Sequence, residues 1–355
     1  MLIEALLSLI VVRNQPFTLV EWPEFHALCR ALNPAYEGKI TTAHSQVQAH
    51  LRIVWPKHKD IVRRELQAAL SRIHISCDIW TSPNQLLLLA IVAHFITHDS
   101  QKRKALIALP QVFGHSGEEQ LGKLLPVLED YGIVRRLGAI ITDNAPPNNV
   151  LCRLIQAHFS TELGLDWAAN DWRIRCIGHI INLVVQAFLF TNVFTEEELE
   201  SYDSQEQREG VDEEAKRAKF RLLGPLGKAH NIVVFIRGSP LRITEFKASA
   251  GRLIPMDNST RWNSWFYMLV VLLDVRPAVD TFTLNHKEEL AKDALDFQDW
   301  VKLRTIKEFL GPFHRATLAI KGDSSSIDTT LFTMDILVKH VTTEIVSSPL
   351  PSSLL

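Results

Sequence analysis

The sequence predicts an α/β fold, a mixed sheet flanked by helices, with an all-helical region following it. Three observations predict it. Residues 72–79, 86–96 and 104–113 are three strand-like segments with no helical pattern between them. From residue 117 to residue 190 the pattern alternates helix, strand, helix, strand, helix, and beyond residue 215 it reads only as helix. Consecutive strands pair antiparallel, whereas strands separated by helices pair parallel, so one sheet of mixed direction accommodates both runs.

Each element has its own signal. Residues 2–70 read as helices punctuated by Pro16, Pro23, Pro34 and Pro56. The apolar opening at residues 2–12 carries Glu4 and is too short to span a bilayer, so it is an amphipathic or buried helix and no membrane partner is expected. Ile73, Ile75 and Cys77 alternate with His74 and Ser76, the rhythm of a half-buried strand. Leu121, Leu124, Leu125 and Leu128 form one face of a helix over 117–131. Residues 137–143 are β-rich, and Pro146 opens a helix to residue 159. Residues 172–176 make a short strand and 180–190 a helix. The acidic run at 195–214 repels itself and reads as a linker. Helices are expected at 260–275, 278–299 and 301–320. These readings divide the chain into an N-terminal helical region (1–70), a core (71–192), an acidic linker (193–214) and a helical region (215–355).

Composition bounds the function. The chain has 355 residues, 46% hydrophobic and 22% charged, enough for two domains with a sizeable core. A net charge of −2 excludes a generally basic, DNA-coating surface, so nucleic-acid contacts must come from local patches. The basic stretch at 52–72 is either a solvated helix face or a phosphate-facing stripe. Cys29, Cys77, Cys152 and Cys176 form no CxxC pair, which signals neither a disulfide framework nor a zinc ribbon. No GxGxxG or GxxxxGK[ST] loop is present, which excludes the common nucleotide-cofactor enzymes.

Two carboxylates stand out. Asp78 and Asp143 each sit at or just past the end of an apolar run, and adjacent strands ending in Asp bring their side chains to one spot. Such a pair suits a hard divalent cation, which binds through one or two carboxylates and substrate phosphates. The alternative is that each Asp caps a turn. Cys176 and His179 have the spacing of half a zinc site, without a second pair. Trp262, Trp265 and Phe266 are core or base-stacking candidates. Asn144, Asn148 and Asn149 either orient the backbone near Asp143 or simply serve a turn.

Taken in order, these residues resemble the catalytic region of hAT-superfamily transposases. Asp78-Ile79-Trp80-Thr81-Ser82-Pro83-Asn84 resembles the first catalytic block, and Gly114-His115-Ser116-Gly117-Glu118 is similar to a His-Thr-Gly-Glu turn. Ile141-Thr142-Asp143-Asn144-Ala145 resembles the second block, Cys176 to His179 a Cys-x-x-His motif, and Thr260-Arg261-Trp262 an Arg-Trp motif. Phe17, Glu21 and residues 32–36 resemble the segment preceding the sheet. The resemblance spans about residues 16–330. It implies a ribonuclease H-like sheet and a nuclear enzyme that cuts and rejoins DNA at transposon ends, with water and then a 3′-hydroxyl as nucleophile. By resemblance Asp78 and Asp143 are catalytic and hold Mg²⁺ or Mn²⁺. His179, Arg261 and Trp262 face DNA, the Trp stacking on an unpaired base, an interaction worth about 1–3 kcal/mol. Cys176 and His115 are motif residues with a structural role.

The sequence also departs from that pattern. No segment resembles the family's third-acid region, its dimerisation block, through which the full-length family forms homo-oligomers, or its N-terminal zinc finger. Glu308 and Glu344 lie in amphipathic helical patterns and read as surface residues. The expectation is therefore an incomplete transposase, inactive alone. The alternative is a non-catalytic nucleic-acid or protein-binding module derived from one.

Overall fold

The computed structural model describes residues 2–36, 38–190, 193–194, 213–257, 262–321 and 326–347. Contacts divide the chain into two compact units, Met1–Arg175 and Cys176–Leu355.

The first unit opens with helices α1 (Leu2–Val12), α2 (Pro23–Leu32) and α3 (His44–Gln67). Leu6, Leu7 and Ile10 of α1 are buried with Leu19, Val20 and Val47, which makes α1 a helix with one face in a small core of its own. Among the described residues no helix is long and apolar enough to cross a membrane. Pro56 does not punctuate as expected. It lies inside the 24-residue α3, where its ring is exposed and the carbonyl it leaves unpaired can be hydrated.

Five strands follow: β1 (Ile73–Thr81), β2 (Leu87–Ile96), β3 (Lys102–Ala108), β4 (Leu137–Thr142) and β5 (Arg173–Arg175). Their order across the sheet is β3-β2-β1-β4-β5. The first three pair antiparallel, and β4 and β5 join in parallel, so the mixed sheet expected from the element order is what forms. Helix α4 (Gly117–Asp130) connects β3 to β4; α5 (Pro146–Leu163) and the short α6 (Ala169–Trp172) connect β4 to β5. Ile73, Ile75 and Cys77 of β1 enter a core with Leu89, Ile91, Ile140, Leu124 and Leu151, the apolar phase of each strand meeting the apolar stripe of each helix. Strand β3 ends at Ala108 instead of continuing to residue 113. Pro110 has no N–H to give a ladder, and only the isolated bridge between Leu88 and Gln111 continues the pairing.

The second unit is helical: α7 (Ile177–Phe190), α8 (Glu213–Arg221), α9 (Pro225–Arg237), α10 (Pro240–Ala250), α11 (Trp262–Asp274), α12 (Arg276–Asn285), α13 (Lys287–Leu290), α14 (Phe297–Ile320) and α15 (Ile327–Ser347). One core joins them, and it includes Ile181, Val185, Leu189 and Phe190 of α7. Helix α7, grouped with the sheet on sequence alone, thus belongs by its contacts to the helical unit. The acidic run lies outside the described residues up to residue 212; Glu213 and Glu214 occupy the first turn of α8, where the helix dipole favours negative charge. The single helix expected over 278–299 is broken. Asp296 and Asp299 form a reciprocal capping box that starts α14 at Phe297, because a carboxylate bonded to the N-terminal N–H groups competes with helix continuation.

Candidate functional site

The two acids are brought together by strand register. Between β1 and β4, Ile73 faces Leu137, but Ile75 faces Ile140 and Ser76 faces Ile141. One extra residue has entered β4, a bulge in which two residues oppose one. Continued by two positions, the shifted register sets Asp78 opposite Asp143; without the bulge Asp78 would face Thr142. The bulge has a chemical anchor. The Ala139 N–H donates to His74 Nδ1 over 3.0 Å, so the ring takes up a backbone donor that the interrupted ladder leaves over. Gly138 is required beside it, since a Cβ there would lie 2.8 Å from the same nitrogen. Burial, and then the charge of Arg72, hold the His74 pKa below the usual histidine value, which keeps Nδ1 available as an acceptor.

Asp78 is not at a strand tip as expected. β1 runs on to Thr81 because β2 pairs with it throughout, Asp78 with Ala90 and Thr81 with Leu87. Asp143 does stand just past the end of β4. Both line one cavity of about 160 Å³ together with Cys77, His115, Gln120 and Asn148. Asp78 is exposed there and Asp143 half-buried.

The walls of the cavity explain the motif residues. Asp143 Oδ1 accepts the Ala145 N–H at 2.9 Å and the Asn148 amide at 2.5 Å, which fixes the carboxylate against the start of α5. Asn148 therefore orients the acid itself, a more direct role than backbone support. Asn149 Oδ1 is bonded to Arg173, and the side-chain oxygen of Asn144 is buried without a partner. On the other wall Ser116 caps α4 by accepting the Glu119 N–H at 3.2 Å, and Glu119 accepts the Phe113 N–H at 2.7 Å. Gly117 lets α4 approach α5: a Cβ there would lie 2.5 Å from the Leu151 nitrogen and 2.8 Å from the Pro147 oxygen. Gln120, 3% exposed, donates to the His115 carbonyl at 3.2 Å and holds that loop beside the cavity. The sequence reading missed Gln120. Its signal was a polar residue on the same helical stripe as Leu124 and Leu128.

The thiols nearby are not nucleophiles. Burial pushes Cys77 up to about 12, and Cys152 up to about 11, so both stay protonated. With Oδ1 of Asp143 occupied by neutral donors, Oδ2 takes no hydrogen bond among the described residues. Two carboxylates on one small polar cavity match the donor set of a hard divalent cation completed by water and substrate oxygens. No group of three or more His, Cys, Asp or Glu that could hold a metal occurs among the described residues. Glu308 is exposed on α14, and Glu344 is half-buried on α15.

The remaining expected residues belong to the second unit. Cys176 and His179 are half-buried at the start of α7. Arg261 lies outside the described residues. Trp262 is 1% exposed, its ring edge-on to Phe266 and His314, and its backbone N–H donates to Asn182 Oδ1 at 3.4 Å. That burial corrects the stacking role: no face of the ring is open to a base, and the core reading holds for Trp262, as it does for Trp265 at 0%.

Comparison with known proteins agrees with this architecture. The ZBED1 RNase-like domain matches residues 76–168, and the ZBED1 RNase-like helical domain matches residues 174–309. A Talaromyces stipitatus protein whose name describes it as a transcriptional regulator, tpeD, is 26% identical over 325 residues, 89% of this chain and 37% of its own length. A Zea mays protein named as an AC transposase is 24% identical over 328 residues, 89% of this chain and 36% of its own. The zinc finger BED domain-containing protein RICESLEEPER 2 of Oryza sativa subsp. japonica is 21% identical over 315 residues, 86% of this chain and 39% of its own. The chain spans well under half the length of these curated relatives. With an RNase-like sheet unit, a matching helical unit and transposases among its relatives, the chain is a hAT-superfamily transposase-like protein.

Proposed function

We propose that this chain is the catalytic region of a hAT-like transposase, acting in the nucleus on the DNA of transposon ends, with Asp78 and Asp143 as its first two catalytic acids. The reading rests on one observation above the others, the shared cavity of these two carboxylates on neighbouring parallel strands. Mg²⁺ or Mn²⁺ held there would polarise a phosphodiester and lower the pKa of a bound water. The chain's own residues do the rest. Asn148 and the Ala145 N–H hold Asp143 Oδ1, which leaves its other oxygen directed to the ligand, and His115 is placed to hydrogen-bond substrate. His179 and Arg261 are proposed to face DNA from the helical unit. Two acids make an incomplete set, so the polypeptide is proposed to be inactive alone and to need a third carboxylate supplied from elsewhere.

The test is Mn²⁺ titration read by electron paramagnetic resonance, with nicking of supercoiled plasmid measured alongside. Wild type is expected to sequester Mn²⁺ and to nick poorly, and Asp78→Asn and Asp143→Asn to lose the ion. Equal Mn²⁺ uptake by all three proteins would remove the acids from the metal site. A second reading, a binding module without catalysis, is favoured by the relative named as a transcriptional regulator. Duplex binding that is unaffected by chelator and by both Asp substitutions would select it.

A further inference from the structure

A second cavity, of about 440 Å³, lies in the sheet unit and is lined by Arg153, Arg173 and Arg175 with Asn149, Asn170 and Cys152. Its cations come from different elements. Arg153 is on α5, and Arg173 and Arg175 are the two ends of β5, which pairs Arg173 with Ile140 and sets Arg175 level with Thr142, the last residue of β4. None of the three makes an ion pair with a carboxylate among the described residues, although the chain as a whole has more acids than bases. Arg173 bonds only neutral acceptors, the Asn149 side chain and the Asp143 carbonyl at 3.3 Å, and its Nε is buried without a partner. Three like charges gathered on one concave surface repel one another, and an anion relieves that repulsion.

We infer that this cavity is a phosphate-binding subsite. A tetrahedral oxyanion directs its acceptors outward in three dimensions, toward guanidinium groups and amides arriving from different elements, whereas the acceptors of a carboxylate are confined to two oxygens in one plane. Its placement says how it is used. Asn148 of α5 serves the carboxylate cavity, while Asn149, Cys152 and Arg153 of the same helix line this one, and Arg173 reaches the carbonyl of Asp143. A phosphate seated here shares the wall formed by α5 with the carboxylate cavity. The source of that phosphate is either a nucleic-acid backbone, which rests on the function proposed above, or a free phosphate, which does not.

The experiment uses the full chain and the double variant Arg153→Ala/Arg175→Ala, both exposed positions, with Arg173 left in place because it bonds the Asp143 loop. Inorganic phosphate binding is followed by titration calorimetry, and binding of a fluorescent duplex oligonucleotide by anisotropy over a salt series in EDTA. Wild type is expected to bind phosphate, and the double variant to bind it about tenfold or more weakly, as loss of charge-assisted hydrogen bonds requires. If the source is a nucleic-acid backbone, the salt slope for the duplex also falls by roughly 1.8, about 0.9 for each lost contact. Phosphate binding lost with an unchanged duplex slope, or with no duplex binding in wild type, assigns the subsite to a free phosphate; the absence of duplex binding also counts against the DNA reading. No phosphate binding by wild type, or equal binding by both proteins, overturns the subsite whatever the duplex does.

Discussion

The two units hold carboxylates in opposite ways. In the helical unit Asp293 is fully buried and closed in by charge: Arg221 Nε bonds Oδ1 at 2.8 Å, Arg217 bonds Oδ2, and Asn231 bonds Oδ1 at 2.7 Å. Burial pushes its carboxyl up, but the hydrogen bonds of Arg221 and Asn231 and the charge of Arg217 outweigh that and hold it below the ordinary value. In the sheet unit Asp143 is oriented by an amide and a backbone N–H, with an oxygen left over on an open cavity. A buried acid matched by fixed cations stabilises structure and has nothing left to offer a ligand. An acid oriented by neutral donors keeps its charge for one.

That contrast can be broken most directly by removing each charge. Asp293→Asn leaves Arg217 without its counter-ion and Arg221 with Glu214 alone, and is expected to cost about 3–5 kcal/mol in urea unfolding. Asp143→Asn should cost less than about 1 kcal/mol, because its remaining oxygen can still accept the Ala145 N–H. Similar losses for the two would erase the distinction. An effect between those two is expected at Gly117→Ala, where a methyl group meets backbone rather than a flexible side chain, about 1–3 kcal/mol by the same measurement.

His74→Ala leaves the Ala139 N–H without its acceptor and should cost about 1–3 kcal/mol, with His74→Gln restoring much of it through an amide oxygen. The same residue gives a pH signature. Its pKa is lowered on folding, so its contribution is complete above the unfolded value of 6.5 and is lost as the pH falls below that toward the folded value. Thermal melting between pH 7.5 and 5 should therefore decline less steeply in His74→Gln than in wild type, although His94, lowered mainly by burial, keeps part of the slope in both. Asp293 acts only in stronger acid: its stabilisation is complete above 3.8 and disappears as the pH falls through the lower folded value. Ser116→Ala should cost about 1 kcal/mol for a lost helix cap, read by thermal melting.

Much of this was legible in the chain itself. Alternation at 73–77 gave β1, the leucine stripe gave α4, and the order of elements gave the mixed sheet, because each depends on local periodicity. Asp78 and Asp143 were legible as candidates, and their meeting was an expectation that strand adjacency made reasonable. The bulge was not legible, since an extra residue in a ladder leaves no mark when Gly138 and Ala139 are both compatible with a regular strand. Trp262 was ambiguous for a related reason: an aromatic near a helix start looks the same whether its ring is enclosed by Phe266 and His314 or open to solvent. The clustering of Arg153 with Arg173 and Arg175 depends on how α5 returns to β5, which no short-range pattern records.

The extra residue in β4 has one more consequence. Everything downstream of it in that strand is in phase with β1 by virtue of a single count, so a one-codon insertion between Leu137 and Ile140, one residue more than a single bulge absorbs, would present a threonine hydroxyl to Asp78 and leave every functional side chain chemically intact. The site would be lost by arithmetic rather than by substitution, and a survey of disabled gene copies would find such lesions in the spacing, where no mutated acid marks them.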